Sequence, residues 1–590
     1  MAVGTDIQDT GSVRRTPNAL DLLEMLSPEG RKIIERETVA LHLRAGQDLF
    51  REGDPGDAFY VVVTGSLGVY VGGTADTQRL IALIGQGEAV GELALISGLP
   101  RSGTVTAIRD TELLRLAKTR FDFLLKKHPE LMAGLTRILV HRLRLLSTGA
   151  ALKLEPKTVA FLPAHDALES RMVADRLAQC VRQAGGSVAI IGEEGLDQSA
   201  QWFSELENTH DHVFLYGAQE NTGWTRICAR QADRILIVAD SGWTGGTSLP
   251  DDLLQQRSQH QLLDLIILHR KMNGQPVGTQ KQIEAVPANR YVHIRQELNS
   301  DWARLARMIK GQGVGLVLSG GGARAFAHIG VVRALAESGI PIDFIGGTSM
   351  GGIVGAGLSM EWPIDELKER VYDAFVKKNP LSDITLPLLG MVKGKRVEQL
   401  LADHFGAREI PDLWRPFYCV SSNLTTGSVH VHKLGRVCDA LRSSIALPGI
   451  LPPSSHEDGL LVDGAVTSNL PVDVMRNIHS GPIIAVDVSR DRAVGPELLA
   501  QHAQETWYKR IMRPPIISIL MRSATISSEE QDRLQRESAD LLLAPPLGDI
   551  EIRDWKAFDQ AVEIGYQHAR TALPKFKQRL HNRLGSLLSD

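Results

Sequence analysis

The stretch Ile342-Asp343-Phe344-Ile345-Gly346-Gly347-Thr348-Ser349-Met350-Gly351 runs an apolar strand into a turn that holds one hydroxyl between two glycines. A strand-turn-helix junction of this kind strains the backbone at the exposed hydroxyl and brings neighbouring elements close, so Gly347 and Gly351 must carry no side chain. It reads as a nucleophile elbow built around Ser349. Upstream, Val314 to Leu318 reads as another strand, followed by Ser319-Gly320-Gly321-Gly322-Ala323-Arg324 and then a helix. Such a glycine turn aims backbone N–H groups at one point, which suits an oxyanion.

Downstream, Leu460-Leu461-Val462-Asp463-Gly464-Ala465 ends a short apolar strand on a carboxylate, and Asn469-Leu470-Pro471 follows. Asp463 is the candidate base. The alternative is a triad in which a histidine lies between acid and serine. The histidines after Asp463 are His479, His502, His568 and His581, and none stands at an evident strand end. His328, inside the helix after the glycine turn, reads as a packing residue rather than a base.

The glycine run with Arg324, the Gly-x-Ser-x-Gly around Ser349, the segment Ala446 to Pro453, and Asp463-Gly464-Ala465 resemble, in order and spacing, the patatin-like phospholipase family. The resemblance covers residues 312–545. It implies a Ser349–Asp463 dyad with no histidine, an oxyanion hole from Gly320, Gly321 and Gly322 with Arg324, and no catalytic cofactor or metal. The implied substrate is a lysophospholipid or phospholipid acyl ester, with acyl transfer to Ser349 and then to water. Ala325 departs from the family, which usually has glycine there.

At 590 residues the chain is long enough for three or more domains. A net charge of -4 gives no support for a nucleic-acid partner. The four cysteines (Cys180, Cys228, Cys419, Cys438) are widely spaced, without a metal-ligand pattern, which fits a reducing compartment. Residues 1–18 are polar, lack a signal-peptide core and read as a disordered tail. No run approaches ~18 apolar residues, so the expectation is a cytoplasmic protein whose contact with membrane lipid is peripheral.

Residues 19–152 read as short strands between Gly, Pro and Asp turns, a small β-barrel. Within it, Gly91-Glu92-Leu93-Ala94-Leu95-Ile96-Ser97-Gly98-Leu99-Pro100-Arg101-Ser102-Gly103 forms an anion cradle. Amides at Gly91 to Leu93 favour a phosphate, Arg101 supplies a bidentate fork, and Glu92 can accept from a ribose hydroxyl. The segment resembles the phosphate-binding cassette of cyclic nucleotide-binding domains. That implies Glu92 on the 2'-hydroxyl and Arg101 with Ser102 on the cyclic phosphate, Gly103 replacing the more usual Ala. Ser102 rather than Thr leans towards cAMP over cGMP. Leucines and isoleucines between His128 and Leu146 make one helical face, the final helix of such a domain. No helix-turn-helix follows, which argues against DNA binding.

Residues 153–311 alternate β-rich runs (Thr158 to Leu162, Ser187 to Ile191, His212 to Tyr216, Arg234 to Ala239, Leu263 to Leu268) with helix-length segments, a doubly wound α/β layout. Leu162-Pro163-Ala164-His165 stands where a dinucleotide-binding glycine motif would be, so a connecting domain is expected. Asn221 to Asp233 resembles the linker of the neuropathy target esterase branch of the patatin family. Pro380 to Met391 and Ile511 to Met521 are mostly apolar and read as hydrolase core rather than bilayer contacts. Residues 546–590 form a helical extension, in which Asp554 to Leu588 is so charged that a solvated helix is expected.

The fold class is therefore multidomain α/β: a barrel of the cyclic nucleotide-binding type, a doubly wound domain, and a patatin-like hydrolase. The function expected from these resemblances is a serine lipid acyl hydrolase with a cyclic nucleotide as regulatory ligand. The alternatives are a non-catalytic nucleotide-sensing scaffold and an acyltransferase using the same acyl-enzyme. Acyl length and head group depend on pocket shape, and oligomeric state has no signature here.

Overall fold

The computed structural model describes residues 36–72, 79–127, 136, 156–165, 170–217, 223–246, 261–270, 274–286, 288–383, 390–479, 481–489, 529–548 and 550–584. Expectations for residues 1–18, for 511–521 and for nearly all of 128–146 lie outside them, as does half of 380–391. The chain forms two compact units, residues 1–152 and, two short stretches aside, residues 153–590.

The first unit has strands β1 (Val39–Leu43), β2 (Asp48–Phe50), β3 (Ala58–Thr64), β4 (Leu67–Val71), β5 (Arg79–Ile84), β6 (Ala89–Val90), β7 (Thr104–Ala107) and β8 (Thr111–Ala117). They make two antiparallel sheets, ordered β1-β8-β3-β6 and β2-β7-β4-β5. Tyr60 and Val62 from one sheet and Leu67 and Val105 from the other enter one core. The short helix Glu92–Ser97 begins on Gly91, which adopts φ 91°, a conformation that favours glycine.

The second unit opens with a six-stranded sheet, all parallel, of β9 (Thr158–Pro163), β10 (Val188–Ile191), β11 (His212–Tyr216), β12 (Arg234–Asp240), β13 (Leu262–His269) and β14 (Arg290–Arg295). Its order, β10-β11-β9-β12-β13-β14, is doubly wound. β14 was not among the β-rich runs because arginine at both ends and an internal histidine hide its apolar alternation.

The sheet that carries Ser349 comprises β15 (Gly315–Leu318), β16 (Phe344–Thr348), β17 (Phe417–Asn423), β18 (Ser428–His432), β19 (Ser454–His456), β20 (Gly459–Asp463), β21 (Ile483–Val486) and β22 (Leu541–Leu543). The order is β19-β20-β17-β16-β15-β21-β22, with β18 also paired to β17. β16 runs parallel to β15 and β17, whereas β20 joins β17 antiparallel where β16 ends. That substitution brings the last residue of β20 beside the last residue of β16. Trp302, Leu305 and Met308 of the helix Asn299–Ile309 share a core with Phe344, Tyr418, Met475 and Ile483, so the two sheets of this unit are packed through one apolar layer.

The expectation of a solvated terminal helix is corrected. Helix Phe558–Leu584 buries Phe558, Ala561, Val562, Ala569, Leu573, Phe576 and Leu580. These recur at helical spacing, an apolar stripe that the surrounding charges mask in a count of composition. It crosses helix Ala327–Glu337 so closely that a Cβ on Gly330 would lie 1.9 Å from the Val562 carbonyl oxygen.

Candidate active site

Strand β16 delivers Ser349 at φ 54° and ψ -125°, a left-handed strained conformation for a residue with a side chain. The helix Met350–Ser359, buried along its whole length, follows at once. The flanking glycines are sterically required: a Cβ on Gly351 would sit 2.3 Å from the Leu318 carbonyl oxygen, and one on Gly347 2.7 Å from the Gly351 carbonyl carbon.

Ser349 Oγ donates to Asp463 Oδ2 at 2.7 Å, and the Ala465 N–H donates to Asp463 Oδ1 at 2.9 Å. Burial pushes the Asp463 carboxyl up to about 6, against the lowering effect of those two hydrogen bonds. Among the described residues no histidine bonds to Ser349 or Asp463. His328, buried, places Nε2 2.9 Å from the Ser319 carbonyl oxygen, and burial holds it down at about 4, so it is neutral. His479 accepts the Gly481 N–H on Nδ1 and stacks on Phe344. His502 lies outside the described residues.

The glycine turn is divided. The Gly320 N–H donates to Asn469 Oδ1 at 3.1 Å, and Asn469 Nδ2 donates back to the Gly320 carbonyl at 3.4 Å. Gly321 and Gly322 have no hydrogen bond from their N–H groups among the described residues. Gly322 adopts φ 55°, and a Cβ there would lie 2.1 Å from the Ile552 carbonyl oxygen. Arg324 donates from Nε to Val488 O at 2.7 Å and from its terminal nitrogens to Ile550 O and Ser489 O, so its guanidinium braces the turn against two loops.

Ser444 and Asn469 were not singled out as site residues. Ser444 Oγ accepts the Ser349 N–H at 2.9 Å and donates to Val420 O at 2.7 Å, locking the elbow to β17. Asn469 had a visible signal, its place just after Asp463; Ser444 had none.

In the first unit Arg101 is buried and stacks over the Phe50 ring at 4.1 Å. Its terminal nitrogens donate to Gly91 O at 3.0 Å, Asp57 Oδ1 at 3.1 Å and Ala58 O at 2.8 Å. Its Nε has no partner among the described residues, a buried donor left unsatisfied. Glu92, the first residue of the helix that follows Gly91, is buried, while Leu93 and Ser102 are exposed. Phe50 and Asp57 support Arg101 without a cue in the sequence.

The patatin-like phospholipase family matches residues 316–476, the cyclic nucleotide-binding domain 40–128, and the Neuropathy Target Esterase family P-loop like domain 155–312. The chain carries a patatin-like phospholipase domain and resembles the neuropathy target esterase branch of that family. Human patatin-like phospholipase domain-containing protein 6 is 29% identical over 90% of this chain and 44% of its own length. Lysophospholipase nte1 of Neurospora crassa is 27% identical over 91% of this chain and 42% of its own. An NTE family protein of Mycobacterium bovis is 28% identical over 97% of both chains. The chain thus spans less than half the length of the human and fungal relatives. Both Ser349 and Asp463 fall in its patatin segment, whereas Asp532, which accepts the Asn469 N–H at 3.3 Å, falls beyond it. No described helix is long and apolar enough to cross a membrane.

Proposed function

We propose that this patatin-like protein is a serine hydrolase of lipid acyl esters, a lysophospholipase or phospholipase working through a Ser349–Asp463 dyad. The observation that carries this is the 2.7 Å hydrogen bond from Ser349 Oγ to a buried carboxylate. Ionised Asp463 takes the hydroxyl proton as Oγ attacks the ester carbonyl, then returns it to the leaving alcohol. The tetrahedral oxyanion is met by the free N–H groups of Gly321 and Gly322, with Gly320 held by Asn469 as a fixed base for the turn. The positive end of helix Met350–Ser359 adds to the same field. Water on the second half-cycle releases the fatty acid, and lipid would be drawn from a membrane surface touched peripherally.

The test is fatty-acid release from lysophosphatidylcholine by the wild type and by Ser349→Ala, with circular dichroism to check folding. Release by the wild type and a drop of about 10^3-fold or more in the variant is expected. Wild type inactive on lysophospholipid, phospholipid and simple esters would favour the non-catalytic scaffold. Acylated lipid products in place of free acid would identify the transferase.

We further propose that a cyclic nucleotide, with cAMP preferred, binds the cassette of the first unit through Arg101, Ser102, Glu92 and the amides of Gly91 to Leu93. The partnerless Nε of buried Arg101 supports this. Calorimetric titration with cAMP should show one site, weakened by at least about tenfold in Arg101→Ala, since a charge-assisted contact is worth about 1.5–3 kcal/mol. Absence of heat with the wild type would remove the site. Regulation requires the nucleotide to bind active and inactive states unequally; identical hydrolysis rates with and without saturating cAMP would refute it.

A further inference from the structure

Two β-hairpins of the sheet that carries Ser349 place His430, His456 and Asp458 together. His430 lies on β18, and His456 and Asp458 flank the turn between β19 and β20. Asp458 Oδ2 is 3.6 Å from His430 Nδ1 and 3.5 Å from His456 Nδ1, and one donor atom from each residue lies within 4.8 Å of the others. The two imidazole rings have centroids 4.6 Å apart. Among the described residues the Asp458 carboxylate meets no lysine or arginine, only these histidines.

We propose that His430, His456 and Asp458 bind a divalent transition-metal ion of the zinc type, which clips β18 to the β19–β20 turn. Two imidazoles and one carboxylate form a nitrogen-rich, three-ligand set that suits zinc, with water completing a tetrahedron, and suits magnesium or calcium poorly. A tetrahedron on ~2.0 Å bonds has edges of ~3.3 Å, so the atoms need to close by up to ~1.5 Å. His456 and Asp458 are exposed enough to make that movement, their side chains being 41% and 64% accessible.

The backbone around the ligands is already held. Asn423 Nδ2 donates to the Asp458 carbonyl at 3.0 Å, and the Leu460 N–H donates to Thr425 Oγ1 at 3.1 Å. The buried His432 ring packs against the His430 ring with centroids 4.6 Å apart and is itself held 2.8 Å from Ser421 Oγ.

His430 pairs with Ser421, and Ser421 pairs with Asp463, so the three share one face across β18, β17 and β20. Two strand spacings put the His430 backbone about 10 Å from that of Asp463. The clip acts on the hairpin whose last residue is Asp463.

The experiment uses the untagged full-length chain, stripped with chelator and titrated with Zn2+ by calorimetry and with Co2+ by visible absorption. His456→Ala and Asp458→Asn replace exposed groups, and circular dichroism checks their folding. Expected is one equivalent bound with a tetrahedral Co2+ spectrum, at least about tenfold weaker in each variant. No saturable binding by the wild type, equal binding by both variants, or competition by equimolar Mg2+ would overturn the site. Zn2+ should also slow amide exchange in residues 428–432 and 454–459; binding without that slowing would overturn the clip.

Discussion

Replacing Asp463 with asparagine should nearly abolish ester hydrolysis while leaving the protein at least as stable as the wild type at neutral pH. The loss of a positioned base is expected to lower kcat/KM by about 10^3-fold. The stability half follows from burial, which pushes the Asp463 carboxyl up to about 6 from an ordinary 3.8. The folded state therefore holds this proton to higher pH than the unfolded chain does. Between about pH 4 and pH 6 unfolding releases it, so this residue's contribution falls as pH rises. Above that window the ionised carboxylate costs the fold up to roughly 3 kcal/mol. Asparagine has the same shape, never ionises, and can still accept from Ser349 or Ala465. Its melting temperature should match or exceed that of the wild type at pH 7, the difference shrinking towards pH 4. In the wild type, kcat/KM should rise towards a plateau above about pH 6. More than a tenth of wild-type activity in the variant would remove Asp463 as base, and a markedly lower melting point at pH 7 would remove the electrostatic account.

The pairing of Ser349 with Asp463 was legible because its constraints are written in glycine. A strained hydroxyl between close-packed elements leaves Gly347 and Gly351 no alternative, and the order of motifs carried Asp463 with them. The first α/β sheet was legible from apolar runs, except β14, whose charged ends obscure it, whereas in the sheet that carries Ser349 only β15, β16 and β20 were read. Contacts that arise only from tertiary approach left no local pattern. Ser444 reaches the elbow from a helix far along the chain, and Asp57 reaches Arg101 from another strand's start. His430 and His456 stand on separate hairpins, each unremarkable alone. The terminal helix misled because its charges outnumber the stripe it buries.

Removing Arg307 should destabilise the second unit by about 3–5 kcal/mol, because it would strand a buried carboxylate. Asp343 is fully buried in the opening stretch before β16, and Arg307 reaches it from helix Asn299–Ile309. Nε donates to Oδ2 at 3.0 Å and a terminal nitrogen to Oδ1 at 2.7 Å, while the Val314 N–H also donates to Oδ2 at 2.8 Å. One carboxylate thus ties the helix to the starts of β15 and β16, the strands that lead to the glycine turn and to Ser349. Burial alone would raise the Asp343 carboxyl, but the Arg307 charge and these hydrogen bonds outweigh it and hold it below its ordinary value. Its stabilisation is therefore present above about pH 4 and is lost as pH falls through the lowered value. Arg307→Met keeps much of the volume and isolates the charge effect; a melting transition lower by roughly 5 °C is expected at pH 7. Adding Asp343→Asn should restore most of the loss, since a neutral amide can still accept from Val314 and no charge is left unpaired. A single variant that melts within about 1 °C of wild type would show that the pair does not hold these strands, whereas a double variant as unstable as the single would locate the cost in lost packing.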